Sequence, residues 1–186
     1  HDLRAPLRAI NGFSQLLEHD YAAGLDETAR GYLARVRAGS VKMGDLIDDL
    51  HELSRVTRQA MRFKPVDLSR LAAEIAAELE EMEPGRRVAW SIAPDVTATG
   101  DAGLIRSALA NLLGNAWKYS ANREGACIAF GTEVVGGETV IFVRDNGAGF
   151  DMQYAQRLFG VFQRLHHEKD SPGTGVGLAI VKRIVE

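Results

Sequence analysis

The chain has 186 residues, 46% of them hydrophobic, enough for one or two modest domains with real cores. Lysine and arginine total 22 against 25 acidic residues; the net charge of -3 and pI near 6.0 exclude nucleic-acid binding driven by bulk charge. The one cysteine, Cys127, has no partner for an internal disulfide and favours a reducing compartment, and no apolar run reaches the ~18 residues of a membrane span.

Residues 1–60 show no strand-like alternation. Leu3, Leu7, Ile10, Phe13, Leu17 and Tyr21 form one helical stripe, and Leu33, Val36, Ser40, Met43, Ile47, Leu50 and Ser54 form another in steps of three and four. Ala22-Ala23-Gly24 breaks the first helix, Asp26 caps the second, and Pro6 bends the first just past its start. The pattern predicts an antiparallel helical hairpin. Two single seams cannot close a core, so pairing with a second hairpin into a four-helix bundle is expected. Packing of the hairpin on the chain's own C-terminal domain is the alternative.

Residues 57–66 read as a polar linker, with the hinge at 61–66 and a second domain over 67–186. Asp67 caps a helix that turns Leu68, Leu71, Ile75, Leu79 and Met82 inward and stops at Pro84-Gly85. Arg87–Ala93 and Val96–Thr99 read as short strands around Pro94-Asp95, followed by a long helix over 102–119. Ala126–Val135 and Glu138–Arg144 form a hairpin closed by Gly136-Gly137. Helices near 151–159 and 177–186 complete a mixed α/β layer, so the fold class is an α hairpin followed by an α/β domain.

Four polar clusters carry chemistry. At about 100° per residue, Asn111, Asn115 and Lys118 share one stripe of the long helix, with Ile105, Leu109, Leu112 and Ala116 opposite. An asparagine carbonyl is a hard oxygen ligand suited to Mg²⁺, and a lysine suits phosphate oxygens; a solvated helix face is the plainer alternative. Asp145 ends an apolar strand and is followed by Asn146-Gly147-Ala148-Gly149. Its carboxylate can accept from an exocyclic amine while the glycines let backbone approach a flat ring, though a simple strand-ending turn has the same residues. Gly173-Thr174-Gly175-Val176-Gly177 opens a helix at Leu178, where exposed amides can bind phosphate; it matches neither the P-loop nor the dinucleotide fingerprint. Between the glycine clusters, Gly160–Pro172 reads as a lid with Phe159 and Phe162 as apolar anchors. Finally, His1 precedes Asp2, a carboxylate able to orient an imidazole tautomer. His19, His51, His166 and His167 read as surface residues. Jointly the clusters make the inventory of an enzyme that moves a phosphoryl group from a nucleotide onto its own side chain.

These segments resemble the boxes of two-component sensor histidine kinases. His1-Asp2-Leu3-Arg4-Ala5-Pro6-Leu7 is similar to the phosphoacceptor box, Asn111 to Ser120 to the N box, and Asp145 to Gly149 to the first glycine box. Leu158-Phe159-Gly160-Val161-Phe162 resembles the F box, and Gly173 through Leu178 the second glycine box. The resemblance covers nearly the whole chain, in family order. It implies a dimerisation and phosphotransfer hairpin forming a dimeric four-helix bundle, then an α/β-sandwich ATP-binding domain of the Bergerat type shared with gyrase, chaperone and MutL ATPases. By that resemblance His1 accepts the γ-phosphoryl group of ATP with Asp2 as base or orienting partner, and passes it to an aspartate of a response-regulator receiver domain. Asn115, helped by Asn111, would ligate Mg²⁺. Lys118 would contact phosphate, Tyr119 lie near the adenine, and Asp145 read the adenine amino group beside Gly147 and Gly149. Gly173, Thr174, Gly175, Val176, Gly177 and Leu178 would hold the phosphates, with Phe159 in the lid. The implied setting is a cytoplasmic homodimer joined through residues 1–60, driven by an upstream sensor in a soluble or membrane-anchored parent. No nucleic-acid partner is expected.

Two departures bear on these expectations. Family members that dephosphorylate their partners usually carry Thr or Asn four residues after the histidine, where Ala5 stands, which predicts weak phosphatase activity. The chain also opens at His1 and stops at Glu186, inside the last helix, where the family fold adds further strand; both ends read as truncated. A nucleotide-responsive dimerisation scaffold without phosphotransfer is the competing function. Retention of Asn115, Lys118, Asp145 and the loop glycines argues against it.

Overall fold

The structure, a computed structural model, describes residues 4–58, 62–163 and 173–186. The chain divides into two compact units, 1–54 and 55–186.

In the first unit, α1 (Arg4–Asp20) and the start of α2 (Glu27–Arg58) flank a turn over residues 21–24. Asp26 caps α2 as its position predicts, accepting from the Ala29 N–H at 2.7 Å. The helices run antiparallel and are tied mainly by polar contacts. The buried Ser40 hydroxyl donates to the Leu7 carbonyl at 2.9 Å, Arg37 pairs with Glu18 at 2.6 Å, and Arg4 pairs with Asp48. Of the α1 stripe, Leu7 is buried, whereas Ile10, Phe13, Leu17 and Tyr21 are exposed; on α2, Val36, Met43 and Leu50 are exposed too. Two helices cannot cover both seams, so most of the heptad surface of one chain faces outward.

The second unit opens with a strand, β1 (Lys64–Asp67), inside the stretch that composition assigns to a linker. It pairs antiparallel with β3 (Thr97–Gly100), Lys64 opposite Gly100, in a two-stranded sheet that tolerates Pro65. Asp67 caps α3 (Leu68–Met82) by accepting from the Arg70 N–H at 2.9 Å. Leu68, Leu71 and Ile75 of α3 are buried as predicted. Met82 is a correction: it stands exposed on the last turn, where Glu80 and Glu83 meet the ring N–H groups of Trp90 and Trp117 in its place. β2 (Ala89–Ile92) lies parallel to β4 (Cys127–Val135), which pairs antiparallel with β5 (Glu138–Asp145), giving the order β2-β4-β5. The β4–β5 turn places Gly136 at φ 61° and Gly137 at φ 89°, the left-handed pair a tight hairpin requires.

The central element is α4 (Ala102–Tyr119). Leu104, Ala108, Leu109, Leu113, Ala116 and Trp117 form its buried back, a stripe rotated slightly from the predicted one, so Ile105 and Leu112 are only half-buried. Leu109, Leu113, Ala116 and Trp117 join Val66, Leu71, Ala72 and Ile75 of β1 and α3, and Ile128 and Phe130 of β4, in one core. The segment near 151–159 is a short 3-10 helix, Met152–Arg157, capped by Asp151, rather than an α-helix. Its sequence has too little apolar period to hold a longer helix against the core. The chain finishes in α5 (Gly177–Val185), packed on α4. The described architecture is the predicted one, a helical hairpin and an α/β domain.

Candidate nucleotide site

The site is built on the face of α4 away from the core. Asp101 anchors the start of that helix, accepting from Gly103 N–H at 3.0 Å and Leu104 N–H at 3.2 Å through one oxygen, and from Arg62 N–H at 3.2 Å through the other. The Arg62 amide, then that of Leu104, holds the Asp101 carboxyl below its ordinary value of 3.8. With the helix fixed in register, Asn111, Asn115 and Lys118 are all half-buried along one side.

Asn111 is oriented by its own helix, its Nδ2 donating to the Ser107 carbonyl at 3.0 Å. That turns Oδ1 towards the first residue of α5: a Cβ added at Gly177 would stand 2.2 Å from it. Any side chain at Gly177 would therefore have to displace the Asn111 amide. Lys118 Nζ lies 3.2 Å from the Tyr119 hydroxyl and 4.5 Å above the Tyr119 ring, and a Cβ at Gly173 would meet it at 2.9 Å. The second glycine cluster thus bears on both ends of the Asn111–Lys118 stripe. At the start of α5 the N-cap position is Val176, fully buried and offering no side-chain acceptor. An anion placed there would find amide donors and the positive end of the helix dipole.

The other wall comes from β5 and the turn after it. Asp145 ends the strand, exposed, and accepts from the Gly147 N–H at 2.8 Å. The Ala148 N–H donates to the Tyr119 carbonyl at 3.0 Å, hanging the turn on the end of α4. A Cβ at Gly147 would come within 2.5 Å of that same carbonyl and 2.6 Å of Asp145 Oδ1, so no side chain fits there. Gly149 sits at φ 65°, also a glycine conformation.

The sequence left two contributors to this wall without a role. Asn146 faces away from the site, its Oδ1 accepting from Cys127 N–H at 2.9 Å and its Nδ2 donating to the Gly125 carbonyl at 3.0 Å. Arg123 donates to the Gly147 carbonyl at 3.3 Å. Asn146 from within the turn and Arg123 from the loop after α4 thus tie the turn to the segment 123–127, and only the Asn-Gly pair hinted at it. Phe159 and Phe162, predicted as apolar anchors, are exposed instead, with Phe162 at φ 62°. Both lie in the turns after the 3-10 helix, outside the elements that pack the core. Thr174 and Leu178 are half-buried beside Val176. His1 and Asp2 lie outside the described residues, as do His166, His167 and most of the predicted lid. Among the described residues, no group of three or more His, Cys, Asp or Glu side chains could hold a metal ion.

A half-buried amide-and-ammonium stripe, two glycine turns pressed against it and an uncapped helix start thus gather on one side of α4. Residues 100–186 match the model of the histidine kinase-, DNA gyrase B- and HSP90-like ATPases, and residues 1–59 that of the His Kinase A (phospho-acceptor) domain. The chain is 36% identical over 188 residues to cyanobacterial phytochrome A of Nostoc sp., covering 100% of this chain and 24% of that protein. It is also 36% identical over 189 residues to the methanogenesis regulatory histidine kinase FilI of Methanothrix harundinacea, covering 100% of this chain and 21% of that one. Among solved structures it is similar to full-length ShkA in complex with AMPPNP, with TM-score 0.61 and 29% identity over 99% of this chain and 38% of ShkA. The chain belongs to the two-component sensor histidine kinases and spans about a quarter of the length of these curated relatives.

Proposed function

We propose that this chain is the catalytic core of an ATP-dependent protein-histidine kinase. ATP lodges between α4, the Asp145–Gly149 turn and the start of α5, and His1 takes its γ-phosphoryl group. The carrying observation is the convergence of both glycine clusters on α4, read from Gly177 against Asn111, Gly173 against Lys118 and Ala148 against Tyr119. The complex of ShkA with AMPPNP supports the same ligand class.

Asp145 accepts from the adenine amino group, and Gly147 and Gly149 let the flat base approach the turn with Tyr119 nearby. The Gly173–Gly177 backbone and the α5 amides cradle the phosphates, and Lys118 opposes their charge. Asn115, with Asn111, would supply amide oxygens to Mg²⁺, which neutralises phosphate charge when bound. One ring nitrogen of His1 attacks the γ-phosphorus as the bond to the bridging oxygen breaks, releasing ADP; Asp2 orients the imidazole through its other nitrogen. The phosphoryl group then passes to an aspartate of a receiver domain. With Ala5 four residues past His1, phosphatase activity is weak. The exposed stripes of α1 and α2 support a homodimer through residues 1–60, with the parent's sensor acting on it. No helix of the described residues is long and apolar enough to cross a membrane, and the lone free cysteine fits a cytoplasmic setting.

Incubation of the chain with γ-labelled ATP tests the reading. Acid-labile label on the wild type and none on His1→Gln supports it; label retained by His1→Gln, or none on either, overturns it.

A further inference from the structure

Arg86 belongs to none of the motifs, yet it is the least exposed of the arginines whose ion pairs shape the second unit, its side chain only 13% accessible. Its guanidinium donates to the Trp117 carbonyl and, at 3.0 Å, to the Ser120 hydroxyl, and its Cζ lies 4.1 Å above the Trp117 ring. Trp90 stacks with the same ring, centroids 6.0 Å apart and planes at 12°, and the Trp117 Nε1 donates to Glu83 at 3.1 Å. Ser120 is fully buried and its hydroxyl donates back to the Ala116 carbonyl at 2.6 Å.

The two residues held by Arg86 bracket Lys118 and Tyr119. Lys118 meets Gly173, and the Tyr119 carbonyl carries the Ala148 N–H of the first glycine turn. A cation at the C-terminal end of α4 also complements the helix dipole, and it adds a charged partner to the Trp117 carbonyl, which the Ser120 hydroxyl reaches at 3.1 Å. A planar guanidinium can hold two acceptors and stack on a ring at once, which an ammonium cannot.

From this geometry we infer that Arg86 is a positioning residue for nucleotide binding: it fixes the last turn of α4, and through Tyr119 the turn that reads the base. The inference rests on the ATP-site reading above. The same hydrogen-bonded chain predicts that losing Arg86 frees the Ala148 amide even without nucleotide.

The test compares the wild type with Arg86→Ala, Arg86→Lys and Trp90→Phe in the full chain. Trp90→Phe removes the indole bond to Glu80 at 3.0 Å within the same aromatic stack, leaving the grip of Arg86 on Trp117 and Ser120 in place. Three quantities are read: the thermal midpoint, the Kd for AMPPNP with Mg²⁺, and the hydrogen-exchange rate of the Ala148 amide without nucleotide. Arg86→Ala is expected to weaken AMPPNP about tenfold, the size of one lost charged hydrogen bond, and to speed Ala148 exchange. Arg86→Lys should recover part of both, and Trp90→Phe should lower the midpoint without moving either. If Arg86→Ala does not fold, Arg86→Lys decides, with weaker AMPPNP binding and faster Ala148 exchange than wild type as the supporting result. Unchanged Kd and Ala148 exchange in the folded Arg86 variants overturn the inference. So does a loss of affinity in Trp90→Phe that tracks its midpoint, since stability alone would then explain both. A wild type that binds no AMPPNP refutes the ATP-site reading itself, and Ala148 exchange still reports separately whether Arg86 holds the turn.

Discussion

In the hairpin, Ile10, Phe13, Leu17 and Tyr21 of α1 stand exposed along one stripe, and the two helices are tied by Ser40, Arg37 and Arg4. In the second unit, Leu113, Ile128 and Phe130 are closed off from water within a single chain. One unit buries its apolar residues against itself. The other keeps them on a face that a second copy would cover. Binding chemistry follows the same division, because a site that must hold glycine turns to within a few tenths of an ångström needs a finished core behind it. On the proposed function, the hairpin would need only to present a histidine, and a bundle completed by a second copy would leave its helices able to respond to a signal.

The comparison breaks most readily at Phe130. Phe130→Ala should destabilise the second unit by about 3–5 kcal/mol, seen as an earlier denaturant midpoint for that unit, while sedimentation shows the association of chains unchanged. A dimer lost together with the core would mean that the two units are not separate in stability. Next in size is Gly177→Ala. Its new Cβ would overlap Asn111 Oδ1, so AMPPNP affinity should fall roughly 10- to 100-fold with little change in the global melt. Titration calorimetry giving wild-type affinity would show that the α4–α5 contact is not part of the site. In the hairpin, Phe13→Ala should do the reverse, weakening self-association about tenfold and leaving nucleotide affinity alone, as analytical ultracentrifugation and the same titration would report.

What the residues disclosed in advance follows from where the physical signal lies. α4 was legible because its buried and polar stripes both repeat at helical spacing, and the β4–β5 hairpin because Gly136-Gly137 permits few turns. The glycines at 147, 173 and 177 announced close approaches, though not that Tyr119, Lys118 and Asn111 were what they approach. Other features gave no local signal. β1 is held by pairing with β3, thirty or so residues on, and Pro65 in its midst argues against a strand. Arg86, Arg123 and Asn146 act on backbone carbonyls and amides of distant segments, and a sequence does not show which carbonyl an arginine will find. The exposure of Met82, Phe159 and Phe162 was hidden for the opposite reason, since periodicity shows that a residue is apolar, not whether the element reaches the core.

The smallest effect sharpens the role of Asp101, which links Arg62 to the start of α4. Because its folded carboxyl titrates below the ordinary value of 3.8, its charged hydrogen bonds stabilise the unit fully above that value and are lost as pH falls through the lowered one. The difference in thermal midpoint between the wild type and Asp101→Asn should therefore be greatest near neutrality and disappear in strong acid. A difference that stays constant with pH would show that the charge contributes nothing.

The most direct measurement is a calorimetric titration of the whole chain with AMPPNP and Mg²⁺ at protein concentrations above and below the dissociation of the dimer. A nucleotide site complete within the second unit predicts one AMPPNP per chain, with the same Kd at every protein concentration. Absence of binding heat, or an affinity that collapses as the dimer dissociates, would contradict it.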